Sequence, residues 1–161
     1  SKMASLLSLG REAYNNGDAA EATDYYQLAG ENGEPEALLL LARCYQQGDG
    51  VFQDEEKAAD LFQRAVADGQ DDAVCELALC YLHGKGLVQD DKEAVRLFQL
   101  GEEKGDVRSV TNLALCYQRG QGIEKNEAKA VDLFELAMQR GSAEATFHLA
   151  WCFHQGIGVV R

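Results

Sequence analysis

The stretch Ala73–Gly86, AVCELALCYLHGKG, decides the fold, because the chain repeats it at a fixed spacing. The pattern returns 36 residues later as SVTNLALCYQRGQG, after a further 36 as ATFHLAWCFHQGIG, and 36 residues earlier as ALLLLARCYQQGDG. A period of this length is typical of a solenoid, in which short helical units stack and each unit contacts only its neighbours. The sequence therefore predicts a repeat protein rather than a globule with one central core.

Each repeat reads as two helices. Helix A, about Glu36–Gln47 in the first full copy, ends at Gly-x-Gly, where the first glycine lets the chain leave the helix with positive φ. Helix B, about Glu55–Asp68, follows a polar residue of N-cap type, Asp54, and carries apolar residues at helical spacing. An alanine recurs at positions 42, 78, 114 and 150 and predicts close approach of helices A and B.

A shortened pair of helices, Leu6–Asn16 and Ala19–Asn32, precedes the full repeats, and a last helix A, Ala143–Gln155, follows them. We therefore expect an all-α chain of nine helices, or about four and a half repeats, forming one domain over residues 1–161. The expected units are 3–33, 34–69, 70–105, 106–141 and the half unit 142–161.

Composition excludes several classes of function. The chain of 161 residues carries a net charge of −12 and has no cluster of lysine and arginine, so we expect no nucleic-acid partner. No segment approaches the ~20 apolar residues of a membrane span, and we expect no membrane insertion. The repeated Gly-x-Gly ends helices rather than cradling a phosphate, and no nucleophile stands beside a base, so we expect neither a cofactor nor an enzyme.

Five cysteines invite a disulfide interpretation that their spacing opposes. Cys44, Cys80, Cys116 and Cys152 fill the same slot of successive repeats, and equivalent helices in a stack lie ~8–10 Å apart, beyond the Cα separation of a disulfide. We expect buried free thiols and a reducing, cytoplasmic location. The alternative is a metal or redox module, for which His148 and Cys152 have the spacing of half a zinc site.

The complete pattern, A-x3-L-A-x2-Y-x2-G-x-G-V-x2-D-x3-A-x2-L-F-x2-A-x3-G-x3-A, resembles the Sel1-like repeat, a relative of the tetratricopeptide repeat, from residue 37 to 159. The resemblance implies a right-handed α-α superhelix that acts as a scaffold or adaptor for protein–protein interaction. Some cysteine-rich members link helix B to the next helix A by a disulfide. The matching slots here are Val66/Ala73, Glu102/Ser109 and Met138/Ala145, so those bridges are absent.

Comparison with tetratricopeptide stacks predicts three columns of helix-A residues on the concave face. A strip of large apolar side chains there predicts a groove for a peptide or a partner protein. The alternatives are that some of these residues pack between helices, and that the repeats organise a larger multidomain chain. The candidate binding residues are Leu39, Cys75, Thr111 and Phe147 in the first column, Arg43, Leu79, Leu115 and Trp151 in the second, and Leu82, Gln118 and His154 in the third. We expect Cys75 to be the most reactive thiol if it lines this face.

The last helix A lacks a following helix B, so its far face has nothing to cover it. We expect Leu149, Phe153 and Val159 to be the uncovered residues and the chain to be part of a longer array. Alone, it is expected to cover this edge by self-association or by a crystal contact, or to fray there.

Overall fold

The computed structural model describes residues 4–159, and within that range it contains nine α-helices and no β-strand. The helices are α1 (Leu6–Asn15), α2 (Ala19–Glu31), α3 (Pro35–Gln47), α4 (Glu55–Ala67), α5 (Ala73–His83), α6 (Asp91–Glu103), α7 (Val107–Arg119), α8 (Glu127–Gln139) and α9 (Ala143–Gln155). The odd-numbered helices are the A helices and the even-numbered ones the B helices. The all-α solenoid predicted from the 36-residue period is confirmed, and each range given above agrees to within one residue at either end.

Each helix packs mainly against the helices before and after it in the chain, which is the contact pattern of a solenoid. The core runs along the stack between the A and B layers. A fully buried phenylalanine recurs in α4, α6 and α8 (Phe62, Phe98 and Phe134), and fully buried alanines at positions 42, 78 and 114 let the paired helices approach closely. The predicted role of these alanines is confirmed for the first three full repeats.

The helix caps follow the sequence closely. The side chains of Asp54, Asp90 and Asn126 accept hydrogen bonds of 3.0–3.1 Å from backbone amides in the first turn of α4, α6 and α8. Each such cap contributes about 1 kcal/mol to helix stability. The backbone amides of these residues donate to the carbonyls of Tyr45, Tyr81 and Tyr117 at 2.9–3.0 Å, so the loop before each cap is closed in the same way.

The second glycine of Gly-x-Gly has a role that the sequence analysis did not identify. Gly84 ends α5 in the left-handed conformation, as expected, and Gly86 has φ +72° as well. The backbone of Gly86 lies against the start of α4 in the preceding repeat. A Cβ on Gly86 would stand 2.5 Å from the carbonyl carbon of Glu55 and 2.9 Å from the amide nitrogen of Glu56. Each loop therefore rests on the first turn of the previous helix B.

The outer face of α9 has no described helix beside it. Phe153 is 53% exposed, whereas the tyrosine in the same slot of α7, Tyr117, is buried. Ala150 is exposed where its counterparts are fully buried, and Val159 is partly buried. The expectation for Leu149 is wrong: this residue is buried, because it lies on the side of α9 that packs within the stack.

Candidate functional site

The first predicted column does not lie on the surface. Leu39, Cys75 and Thr111 are buried, and of this column's candidates only Phe147 is exposed, at 69%. The structure therefore corrects the assignment of the three inner members as partner-contacting residues. It also removes the reason to expect high reactivity at Cys75.

The cause is the next A helix, which covers this column. The hydroxyl of Thr111 is 3.1 Å from the hydroxyl of Ser142, the N-cap residue of α9. The thiol of Cys75 is 3.9 Å from the side-chain amide of Asn112 in α7. Phe147 occupies the same slot in α9, and its exposure follows because no described helix comes after α9.

The second column does reach solvent. Arg43, Leu79 and Leu115 are partly buried, and Trp151 is 45% exposed. We call the solvent-exposed surface of α1, α3, α5, α7 and α9 the A-helix face. The third column is divided. Leu82 is buried, which corrects its assignment as a contact residue, whereas Gln118 is partly buried and His154 is exposed.

Three of the predicted residues come together in one cleft between α7 and α9. It has a volume of about 440 Å³ and is lined by Gln118, Arg119, Lys125, Glu127, Phe147, His148, Trp151 and Ile157. The ring of His148 stacks on buried Phe134 at 5.3 Å and meets Phe147 edge-on at 5.6 Å. The side-chain amide of Gln118 donates to the thiol of Cys152 at 3.4 Å. The walls are thus aromatic and apolar, and the rim is charged.

A smaller cleft of about 250 Å³ lies at the other end of the A-helix face, between α1 and α3. Its lining residues are Tyr14, Tyr26, Leu40, Arg43, Cys44, Gln47 and Asp49. The hydroxyl of Tyr14 donates to Asp49 at 3.1 Å, and this hydrogen bond to a carboxylate raises the pKa of the tyrosine. His154 lines neither cleft.

Sequence reasoning missed an ionic ladder on the A-helix face. The carboxylate of Glu76 in α5 accepts from Arg108 in α7 at 3.0 Å and from Arg43 in α3 at 3.4 Å. A further pair joins Arg11 in α1 to Glu36 in α3. The signal was present in the sequence as arginine and glutamate separated by 32 and 33 residues, close to the repeat length.

Charge divides between the two helix layers. The A helices carry four arginines and four glutamates, so their formal charge is zero. The B helices carry thirteen acidic and five basic side chains, which gives a net charge of −8. The A-helix face therefore has no net charge in a strongly acidic protein. Its arginines have N–H groups that can donate hydrogen bonds to a ligand.

The cysteines have the environment of structural residues. All five are free and buried. Burial raises the pKa of the Cys44, Cys75, Cys80 and Cys116 thiols to about 11, and it also raises the pKa of Cys152. Thiols with raised pKa values are poor nucleophiles and poor metal ligands at neutral pH, because the reactive form is the thiolate.

Over residues 4–159, no group of three His, Cys, Asp or Glu side chains is arranged to hold a metal ion. No helix in the same range combines the length and the apolar character needed to cross a bilayer.

Known proteins with similar sequence or structure share the repeat. A protective antigen present in uropathogenic Escherichia coli strains, described as displaying an SLR fold, superimposes with a TM-score of 0.87 and 29% identity over 96% of this chain and 34% of its own. A Sel1 repeat protein from Oxalobacter formigenes gives a TM-score of 0.85 and 25% identity over 96% of this chain and 65% of its own. The cysteine-rich protein B of Helicobacter pylori shares the fold, with a TM-score of 0.60 and 22% identity over 88% of this chain and 96% of its own.

Among curated proteins, an exopolysaccharide production negative regulator of Rhizobium leguminosarum bv. viciae is 42% identical over 50 residues, which make up 31% of this chain and 19% of the regulator. The chain thus spans a fifth of that relative and a third of the Escherichia coli antigen. The Sel1 repeat model matches residues 4–34, 35–70, 71–106, 107–142 and 143–161, so it covers the described helices without a gap. Such repeats generally serve as protein-interaction scaffolds. The chain belongs to the Sel1 repeat family.

Proposed function

We propose that this chain is a protein-binding scaffold whose concave A-helix face takes a peptide or a helix of a partner protein. The observation that carries the proposal is the cleft between α7 and α9, where Trp151 and Phe147 leave much of their aromatic surface in water. An apolar cleft with a charged rim has the composition of a protein-binding site, in which buried aromatic anchors supply most of the affinity.

The partner would place an apolar side chain in the cleft and run along the A-helix face towards Leu115 and Leu79. Those two leucines are partly buried and continue the column that contains Trp151. The arginines of the ionic ladder supply N–H donors for the partner's carbonyl or carboxylate oxygens. A neutral face also avoids the repulsion that the acidic B helices would impose on many partners.

A peptide-display selection against this chain tests the proposal. A selected peptide should shift or quench the emission of Trp151, the only tryptophan. Trp151→Ala should weaken binding about 30-fold, which corresponds to the ~2 kcal/mol of a typical hot-spot residue. The matched control is Met138→Ala, which removes a partly exposed apolar side chain from the B helix α8. Equal loss in both variants, or none in Trp151→Ala, contradicts the proposal.

Self-association through α9 is a second candidate, supported by the exposure of Ala150, whose counterparts are fully buried, and of Phe153, whose counterparts are buried or partly buried. In a solution of this chain alone, a second copy is the available partner for that face. Light scattering over a concentration series should show association that Phe153→Glu abolishes and Met138→Glu leaves intact. A monomer at all concentrations contradicts this candidate. The use of the repeats within a larger multidomain chain stays a prediction.

A further inference from the structure

The loops between helices A and B form a continuous ridge along one edge of the stack. Gly50 rests on the backbone at Ala19, Gly86 on that at Glu55, and Gly122 on that at Asp91. Each loop is thereby in contact with the first turn of the preceding B helix. Because the loop of the preceding repeat leads directly into that helix, successive loops lie side by side. We call the part of this surface formed by the α3–α4 and α5–α6 loops, residues 49–56 and 85–91, the loop ridge.

Two apolar side chains project from the loop ridge into solvent. Phe52 is 97% exposed and Val88 is 89% exposed, and both occupy the same slot of successive repeats. Within residues 4–159, the other strongly exposed large apolar residues lie on the first two or the last two helices. Exposure at an end of the stack follows from a missing neighbour, but Phe52 and Val88 lie in the middle of it.

The fold does not require these two side chains. In the next repeat the same slot holds Glu124, which is exposed on a loop of the same conformation. The residue before each of them, Val51 or Leu87, already packs against the hydrophobic core and anchors the loop there. Complete burial of a phenylalanine side chain is worth about 2–3 kcal/mol, and Phe52 contributes none of it to folding.

Hydrogen bonds next to these two residues hold the loop backbone in place. In the first, the side-chain amide of Gln53 donates to the carbonyl of Gln46 at 2.9 Å, and the amide of Asp54 donates to the carbonyl of Tyr45 at 2.9 Å. The second loop repeats both bonds at 3.0 Å, from Gln89 to Leu82 and from Asp90 to Tyr81. A partner would therefore meet an apolar pair on a backbone that is already ordered, which lowers the entropic cost of binding.

Acidic side chains surround the loop ridge and lie beside Val88. Residues 49–56 contain four acidic side chains and no basic one, and residues 85–91 contain two acidic side chains and Lys85. Glu55 and Glu56 line a depression of about 550 Å³ together with Leu87 and Val88. Among the described residues neither glutamate belongs to an ion pair.

We propose that the loop ridge is a second docking surface, and that its occupant is a basic, extended segment of a partner protein that places apolar side chains on Phe52 and Val88. Lysine or arginine side chains of the segment would pair with Glu55 and Glu56. In an extended segment, side chains at alternate positions point to the same side. Basic side chains on one side can therefore face the carboxylates, while apolar side chains on the other side face Phe52 and Val88. Nucleic acid and anionic membranes are excluded as occupants, because their phosphates would be repelled by the same carboxylates.

Two synthetic peptides test the proposal, one alternating lysine with leucine and one alternating lysine with serine. The first should bind the chain at least about tenfold more tightly, because only its leucines cover the apolar pair. Its addition should shift backbone amide resonances of the loop ridge, residues 49–56 and 85–91, in the isotope-labelled protein. Phe52→Ala combined with Val88→Ala should reduce its affinity about tenfold, to the level of the serine peptide.

A charge control separates the ridge from general acidity. Glu55→Gln with Glu56→Gln should weaken the lysine–leucine peptide, whereas Asp60→Asn with Asp132→Asn, which removes two exposed charges from the B helices elsewhere, should not. Equal binding of the two peptides, equal effects of the two charge variants, or resonance shifts on the A helices would overturn the proposal. So would concentration-dependent self-association that Phe52→Ala with Val88→Ala abolishes, since the occupant would then be a second copy.

Discussion

Substitution of Gly86 by alanine tests the contact between each loop and the preceding helix. The backbone at Gly86 has φ +72°, where a side chain costs about 1–2 kcal/mol. The added Cβ would also stand 2.5 Å from the carbonyl carbon of Glu55, and neither atom can move without lifting the loop from the start of α4. Relief of such an overlap costs a further amount of about 1–3 kcal/mol. The expected total loss is about 3 kcal/mol.

Gly69 is the matched control. Its φ is +90°, so alanine there carries the same kind of backbone penalty, but nothing lies within 4 Å of the added Cβ. Gly69→Ala should therefore cost only about 1–2 kcal/mol. With a urea m value of about 2 kcal/mol/M, the unfolding midpoints of the two variants should differ by about 1 M when followed by far-UV circular dichroism. Equal midpoints would show that the loop does not bear on the preceding helix.

Three further predictions follow from packing. Gly101→Ala should destabilise the chain by about 1–3 kcal/mol in urea unfolding despite the better helix propensity of alanine, because the new Cβ would lie 2.5 Å from that of Ser109. Adding Ser109→Ala should recover part of the loss by recreating the alanine pair of the neighbouring repeats, whereas an additive loss would contradict this prediction. Trp151 should be accessible to acrylamide in the native state, since it is 45% exposed; emission as protected as that of a core tryptophan would contradict this. Without reductant, five thiols should be titratable after unfolding, and in the native state Cys152 in the end helix should react before Cys116. The modification rate of Cys116, whose pKa is about 11, should rise with pH through the alkaline range. Faster reaction of Cys116 than of Cys152, or fewer than five thiols, would contradict this prediction.

The local features could be predicted from the sequence because they depend on residues close in the chain. Helix ends are set by Gly84 and its equivalents and by N-caps such as Asp90, and both act within a few residues. The period then fixes which helix follows which. This explains why the helix ranges and the solenoid architecture were predicted correctly.

The surface columns could not be predicted to the same degree. Leu39 and Arg43 are four residues apart and share one stripe of α3, yet Leu39 is buried and Arg43 is partly exposed. The difference depends on the angle between successive repeats, which decides which part of the stripe the next A helix covers. Helical periodicity carries no information on that angle.

The ionic ladder and the loop contacts were missed for another reason. Arg43, Glu76 and Arg108 come from three different repeats, so no single repeat reveals them as partners. The contact of Gly86 with Glu55 involves backbone atoms of the glutamate, and backbone atoms leave no trace in a sequence pattern. Only the conserved spacing of the second glycine within this chain gave a hint of it.

The contact between each loop and the preceding helix B uses the same backbone positions in every repeat. Gly50, Gly86, Gly122 and Gly158 each meet the backbone of a residue 31 positions earlier, whatever that residue's side chain is. Removal of one 36-residue unit would bring the loop of the following unit onto the start of the helix B before the gap, with the same atoms in contact. A gene encoding such a chain can therefore gain or lose whole units by unequal recombination without loss of this loop contact.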